Sequence, residues 1–122
     1  MILSIQKSYC MQHKILKYLL DIESVIIEIE HIKTKSENNF TNFKSDIILQ
    51  RAIESDLEII GEAIRKILEI EPNIQITASK NIIGLRNIIS HAYDSIEPEM
   101  IWGIIQKNIP ILSVEIKKIK SL

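Results

Sequence analysis

Ile53-Glu54-Ser55-Asp56-Leu57-Glu58-Ile59-Ile60-Gly61-Glu62-Ala63-Ile64-Arg65-Lys66-Ile67 decides the fold. Its Ile53, Leu57, Ile60, Ile64 and Ile67 step by 4, 3, 4 and 3, which lays one apolar stripe along an α-helix. Ile15, Leu19, Ile22, Ile26 and Ile29 keep the same rhythm upstream. Downstream, Ile82, Leu85, Ile89 and Ala92 form a third, shorter stripe. A fourth begins at Met100 or Ile101, takes in Ile104 and Ile105, and continues through Leu112, Ile116 and Ile119. Isoleucine occurs 30 times, and propensity alone would favour strands. Spacing overrules propensity here, because 3 Gly and 3 Pro leave little turn chemistry for hairpins. The expectation is all-α: an antiparallel bundle of four to five helices forming a single domain over residues 1–122.

The punctuation agrees. Lys35–Lys44 reads as a polar connector, with Ser45 or Asp46 as N-cap of the second helix. Glu71-Pro72-Asn73 ends that helix, since proline disfavours a helical conformation in the residue before it. Thr77 or Ser79 can cap the third helix, and Tyr93-Asp94-Ser95 breaks it. Glu97-Pro98-Glu99 suits the first turn of the fourth, with proline near N1 and carboxylates at the positive dipole end. Pro110 should kink or split that helix near Lys107–Ile109. Lys117, Lys118 and Lys120 read as solvated partners of its C-terminal dipole. The doublets Ile26-Ile27, Ile59-Ile60, Ile82-Ile83, Ile88-Ile89 and Ile104-Ile105 exceed one stripe. Part of that surplus widens the core, and part suits a second protomer, so a homodimer is expected.

Composition narrows the function classes. Apolar residues make up 46% and charged residues 25%, the balance of a globular chain rather than a disordered one. The formal charge is -1, which argues against a protein that coats nucleic acid by bulk electrostatics, though not against a small site acting on RNA. The single Cys10 can form no internal disulfide and reads as core filler, consistent with a reducing cytoplasm. No apolar run reaches the roughly 18–20 residues that span a bilayer, and no signal-peptide layout opens the chain. His13 and His31 lack a partner at helical metal spacing, where Lys17 and Ile27 stand, and read as surface or interface histidines. Neither HExxH, a glycine-rich phosphate loop nor a GxSxG elbow is present. No metal or cofactor is expected.

One polar stretch remains inside an apolar segment: Gly84-Leu85-Arg86-Asn87-Ile88-Ile89-Ser90-His91-Ala92-Tyr93-Asp94. On an ideal helix Asn87 and His91 lie about 40° apart and share a face, and Arg86 nearly aligns with Tyr93. Arg86 and His91 differ by about 140°, so they meet only if the arginine reaches round, the helix loosens, or a symmetric dimer brings two copies into one cleft. Arginine with histidine suits cleavage of an RNA phosphodiester. An imidazole near neutral pKa can take the 2′-hydroxyl proton or protonate the leaving oxygen, while a guanidinium stabilises the charge that builds on phosphorus. Asn87 could orient either group, and the Tyr93 ring could stack on a base. On these residues alone, the bland alternative stays open: His91 and Tyr93 merely end a helix while Arg86 pairs with an acid.

At this stretch the sequence resembles the HEPN superfamily, and within it the HepT-like (DUF86) toxin branch with its Arg-x4-His-x-Tyr, met by Arg86, His91 and Tyr93. Asn87 fits the polar residue after the arginine. Leu57-Glu58-Ile59-Ile60-Gly61-Glu62-Ala63 resembles the branch's Ile-Gly-Glu-Ala segment, and Trp102 with Ile109-Pro110-Ile111-Leu112 resembles its Trp and Leu-Pro-x-Leu marks. The resemblance runs in order from about Phe43 to Glu115, the first helix fitting in character only. Ala78-Ser79 stands where the branch often has Pro-Trp, and Arg51 where it often has an acid.

The resemblance implies a HEPN-like helical homodimer acting as a metal-independent endoribonuclease toxin on RNA, with tRNA as the substrate. It also implies a minimal nucleotidyltransferase antitoxin as partner, able to transfer AMP to the motif tyrosine. Arg86 and His91 would then be catalytic, Asn87 supporting, and Tyr93 both supporting and the AMP acceptor. Gly61 reads independently as a point of close helix approach. Glu62 is either a buried partner of Arg86 or an outward charge. The alternative to catalysis is a non-catalytic helical module that binds a nucleotidyltransferase or a nucleotide, and a plain dimeric scaffold is the third reading.

Overall fold

Asp46 turns the chain into the helix that organises the bundle: its Oδ1 accepts from the Ile48 and Leu49 amides at 3.0 and 3.2 Å. A computed structural model describes residues 2–77, 79–84 and 97–121, with residues 2–9 described by their backbone only. Every described element is helical: α1 (Ile2–Lys35), α2 (Phe40–Lys44), α3 (Ile47–Ile70), α4 (residues 79–84), α5 (Pro98–Gly103) and α6 (Ile109–Lys120). A π-helical segment, Ile104–Asn108, joins α5 to α6 without a break. Counting α5 to α6 as one rod gives five helices among the described residues, within the expected four to five, the short α2 being the one that no stripe announced.

α1 carries 34 residues, about 50 Å of helix, and is the spine of the bundle. Both α3 and α6 run antiparallel to it. Tyr18 and Asp21 lie beside Ile59, Glu62 and Ala63 of α3, and Glu28 lies beside Asp56. At α6, Lys120 Nζ meets Glu23 Oε1 at 2.7 Å, and at the other end Gln106 Nε2 donates to Asn38 Oδ1 at 2.8 Å.

The stripes meet in one core. Ile53, Leu57, Ile60, Ile64 and Ile67 are all fully buried against Leu19, Ile22, Ile26 and Ile29 of α1 and against Ile101, Ile105, Ile109, Leu112 and Ile116. Burial of this kind is non-directional and scales with apolar area, so a period-3.6 stripe is enough to bring the helices together. Phe43 closes one end of the core, 5.1 Å from the Trp102 ring, with Phe40 at 5.9 Å on its other side.

Several expectations change in detail. The Lys35–Lys44 connector is only half a loop, because Asn39 caps a helical turn at α2 by accepting from the Asn42 amide. The true turn is Ser36–Asn39, where Glu37 and Asn38 take left-handed φ values of 57° and 50°. Cys10 is exposed, not core filler. It lies on α1 outside the Leu19–Ile32 burial stripe. Of the two candidates opening the fourth stripe, Ile101 is buried and Met100 exposed.

The α-helix is interrupted next to Pro110, as expected, and the interruption takes the form of a widened π-helical turn at Ile104–Asn108. Pro110 has no N–H for the preceding turn, and the Ile109 amide bonds Ile104 O instead, an i to i−5 step. Lys117, Lys118 and Lys120 do stand exposed in the last turn of α6, and Lys120 also pairs with Glu23. Ile104 and Ile105 both enter the core, whereas Ile27 and Ile59 of the other doublets are exposed.

Candidate functional site

Arg86, Asn87, His91 and Tyr93 lie outside the described residues, as do Leu85, Ile88, Ile89 and Ala92. What the structure describes is the frame on either side of them. The chain enters through the connector after α3 and through α4, and it leaves at Glu97, the N-cap of α5, with Pro98 at N1. Ile76 is 6% exposed and Ile82 is fully buried, so the entry is held against the core by two isoleucines six residues apart. Among the described residues nothing stands within 4 Å of where a Cβ on Gly84 would be.

The connector is fastened from the far side of the bundle. Glu71 ends α3 by donating its amide to Ile67 O at 2.8 Å, and the Ile74 amide closes a turn on Glu71 O at 3.2 Å. The Thr77 amide then donates to Glu115 of α6, at 3.2 Å to Oε1 and 3.1 Å to Oε2. The Thr77 hydroxyl donates to the same Oε2 at 2.8 Å. Ser79 is already helical, so it lies inside the helix and is not its cap.

Among the arginines, Arg65 is committed to its own helix. Its Nε donates to Glu62 Oε2 at 3.2 Å and its Nη2 to Glu62 Oε1 at 2.6 Å, and its Nη1 meets Glu69. These carboxylates hold the guanidinium above its ordinary range, the Glu62 hydrogen bond contributing most. Arg65 is therefore not free to grip a phosphate. Glu62 is half-buried and joined to Arg65, while the Arg86 side of that question lies outside the described residues. Gly61 is buried on α3. His13 and His31 are exposed on α1, and among the described residues no cluster of three His, Cys, Asp or Glu side chains is arranged to hold a metal ion.

Two grooves among the described residues carry carboxylates. One of about 460 Å³ between α1 and α3 is lined by Asp21, Glu58 and Glu62 beside Tyr18 and Ile59. Another of about 510 Å³ between α1 and α6 mixes Glu23 and Glu30 with His31, Lys117 and the two isoleucines Ile26 and Ile27. Like charges would repel an RNA backbone from the first.

Sequence reasoning missed Asp56. Its side chain is 3% exposed, its Oδ2 has no hydrogen-bond partner, and burial together with the facing Glu28 pushes its carboxyl up to about 7. The signal was available: Asp56 falls three residues after Ile53 and four before Ile60, on the buried face of the stripe.

Comparison with known proteins gives a consistent result. The profile of a family described as ribonuclease HepT-like matches residues 15–119. "Putative RNase MJ1380" of Methanocaldococcus jannaschii is 36% identical over 105 residues, covering 82% of this chain and 91% of that protein. "Putative RNase TTE0752" of Caldanaerobacter subterraneus subsp. tengcongensis is 32% identical over 100 residues, 80% of this chain and 89% of that one. "Probable ribonuclease HepT" of Thermococcus cleftensis is 30% identical over 107 residues, 84% of this chain and 93% of that one. No solved structure gives a significant match to the chain.

Proposed function

Because the chain belongs to the ribonuclease HepT-like family, we propose that it is a ribonuclease toxin that cuts RNA by acid–base chemistry at Arg86 and His91. One observation carries the reading: Arg86-x4-His91-x-Tyr93 stands in order behind Ile60-Gly61-Glu62-Ala63 and ahead of Trp102 and Pro110, all inside the matched span. Arg65 is engaged by Glu62 and Glu69, and the choice of Arg86 over the exposed Arg51 rests on its place in the motif.

In the proposed reaction the 2′-oxygen attacks the adjacent phosphorus and the bond from phosphorus to the 5′-oxygen breaks. His91 of one protomer takes the 2′-hydroxyl proton, and its partner's protonated His91 supplies a proton to the leaving oxygen. Arg86 stabilises the added negative charge on the pentacoordinate phosphorus, and Asn87 orients the imidazole. The products are a 2′,3′-cyclic phosphate and a 5′-hydroxyl, with no metal required by this proton balance. Exposed Ile27, Ile48, Ile59 and Val114 supply apolar surface for the homodimer this scheme needs.

The substrate proposed is tRNA, and the site of action is the cytoplasm. No described helix is long and apolar enough to cross a membrane. Regulation falls to a minimal nucleotidyltransferase antitoxin that places AMP on Tyr93. The tyrosine oxygen attacks the α-phosphorus of ATP, pyrophosphate leaves, and the phenolic proton passes to solvent. An anionic group two residues from His91 would then exclude the RNA backbone by bulk and repulsion.

Expression in a bacterial host tests the reading. Growth arrest that disappears with Arg86→Ala or His91→Ala, both variants remaining folded, supports it. Equal arrest with wild type and both variants overturns it. Partner binding that survives His91→Ala, with no RNA cut by either protein, favours the non-catalytic module instead.

A further inference from the structure

We infer that Glu115 is a positioning residue for the catalytic segment: its carboxylate on α6 holds Thr77, nine residues before Arg86 in sequence, and so sets the approach of the chain to α4. The inference rests on the proposed function for what α4 leads into, but its geometry is independent of that reading.

Two kinds of contact hold the entry to α4. Ile76 and Ile82 are buried in the core, and apolar burial is non-directional, so it keeps the segment against the bundle without fixing its rotation. The contacts to Glu115 are directional. Three hydrogen bonds run from one residue, Thr77, to one carboxylate, two of them converging on Oε2 at 2.8 and 3.1 Å. Among the described residues, no other side chain from outside the connector bonds it.

Glu115 is itself held firmly. It stands between Leu112 and Ile116, both fully buried, so the α6 backbone beneath it is anchored in the core. The chain also lacks the usual alternative for presetting a helix start, since Ala78-Ser79 offers no proline at the first helical position. A charge-assisted clamp from another helix supplies that constraint. Small errors in placement weigh heavily at an acid–base site, where a shift of about 1 Å can cost on the order of 100-fold in rate.

The test compares wild type with Glu115→Ala and Glu115→Gln in three measurements: kcat and KM on total tRNA, thermal melting, and native-state amide exchange at residues 79–84. Glutamine keeps a carbonyl oxygen where Oε2 receives both Thr77 donors, so it is the conservative rescue. Glu115→Ala should lower kcat about 10-fold with KM and melting little changed, speed exchange at 79–84, and leave other helices protected. Glu115→Gln should restore both rate and exchange. Wild-type kcat in Glu115→Ala, or a loss of kcat that follows melting without rescue by glutamine, overturns the inference.

If wild type itself leaves tRNA intact, the proposed function fails and exchange alone decides the role of Glu115. Faster exchange at 79–84 in the alanine variant, reversed by glutamine, then supports the clamp, and unchanged exchange overturns it.

Discussion

Asp56 on α3 faces Glu28 on α1, and the aspartate is almost wholly withdrawn from water while the glutamate is exposed. Burial, chiefly, and then the neighbouring negative charge raise the Asp56 carboxyl from 3.8 to about 7. The folded protein therefore holds a proton that the unfolded chain releases near pH 4. Below that pH both states are protonated and the pair costs nothing. Between about pH 4 and 7 the unfolded state gains by ionising, so stability falls as pH rises, and above about 7 the loss is complete. Asp56→Asn removes this dependence while leaving an N–H donor for Glu28. Denaturant unfolding at pH 5 and pH 8 should show the variant more stable than wild type at pH 8 by about 1–3 kcal/mol, and little different or slightly weaker at pH 5. Identical pH dependence in the two proteins would contradict this assignment.

Gln50 ties the short α2 turn to α3. Its buried side chain donates Nε2 to Phe43 O at 3.0 Å and Lys44 O at 2.8 Å at the end of α2, where Phe43 O also accepts from the Asp46 amide at 3.1 Å. Replacing it by leucine fills the volume but takes the side-chain donor from both carbonyls, Phe43 O keeping only backbone donors. Gln50→Leu should cost about 1–3 kcal/mol in chemical denaturation, more than Gln106→Leu, whose bond to Asn38 is exposed.

Gly103 sits at the junction of α5 with the π-helical turn, in ordinary helical geometry with φ -57° and ψ -43°. Nothing lies within 4 Å of where its Cβ would stand. Alanine there restricts the unfolded chain at no steric cost, so Gly103→Ala should raise stability by about 0.5–1 kcal/mol, read as an increase in melting temperature. A decrease would mean that the widened turn needs the glycine.

The bundle was legible because isoleucine spacing is a direct image of helix geometry: every member of the Ile53–Ile67 stripe is fully buried. Asp46 and Pro98 were legible as helix starts for the same local reason, a side-chain oxygen or a fixed φ next to an apolar run. Long-range pairings were not. Nothing local predicts that Lys120 reaches Glu23 or that Glu115 reaches Thr77, since each joins residues brought together only by the packed helices. The interruption at Pro110 was legible too, but not its form, because a helix can absorb a missing donor by widening one turn as well as by bending. The motif residues were read from type, order and spacing alone, and their chemistry rests on that reading.

The most direct test puts Arg86 and His91 to work on RNA. Purified wild type and His91→Ala, matched in helical content and melting, are incubated with total tRNA in the presence of a metal chelator, and the new ends are mapped. The account predicts discrete cuts by wild type that end in 2′,3′-cyclic phosphates, slowed at least about 100-fold in the variant. Intact tRNA with wild type, or equal cutting by both proteins, would contradict it.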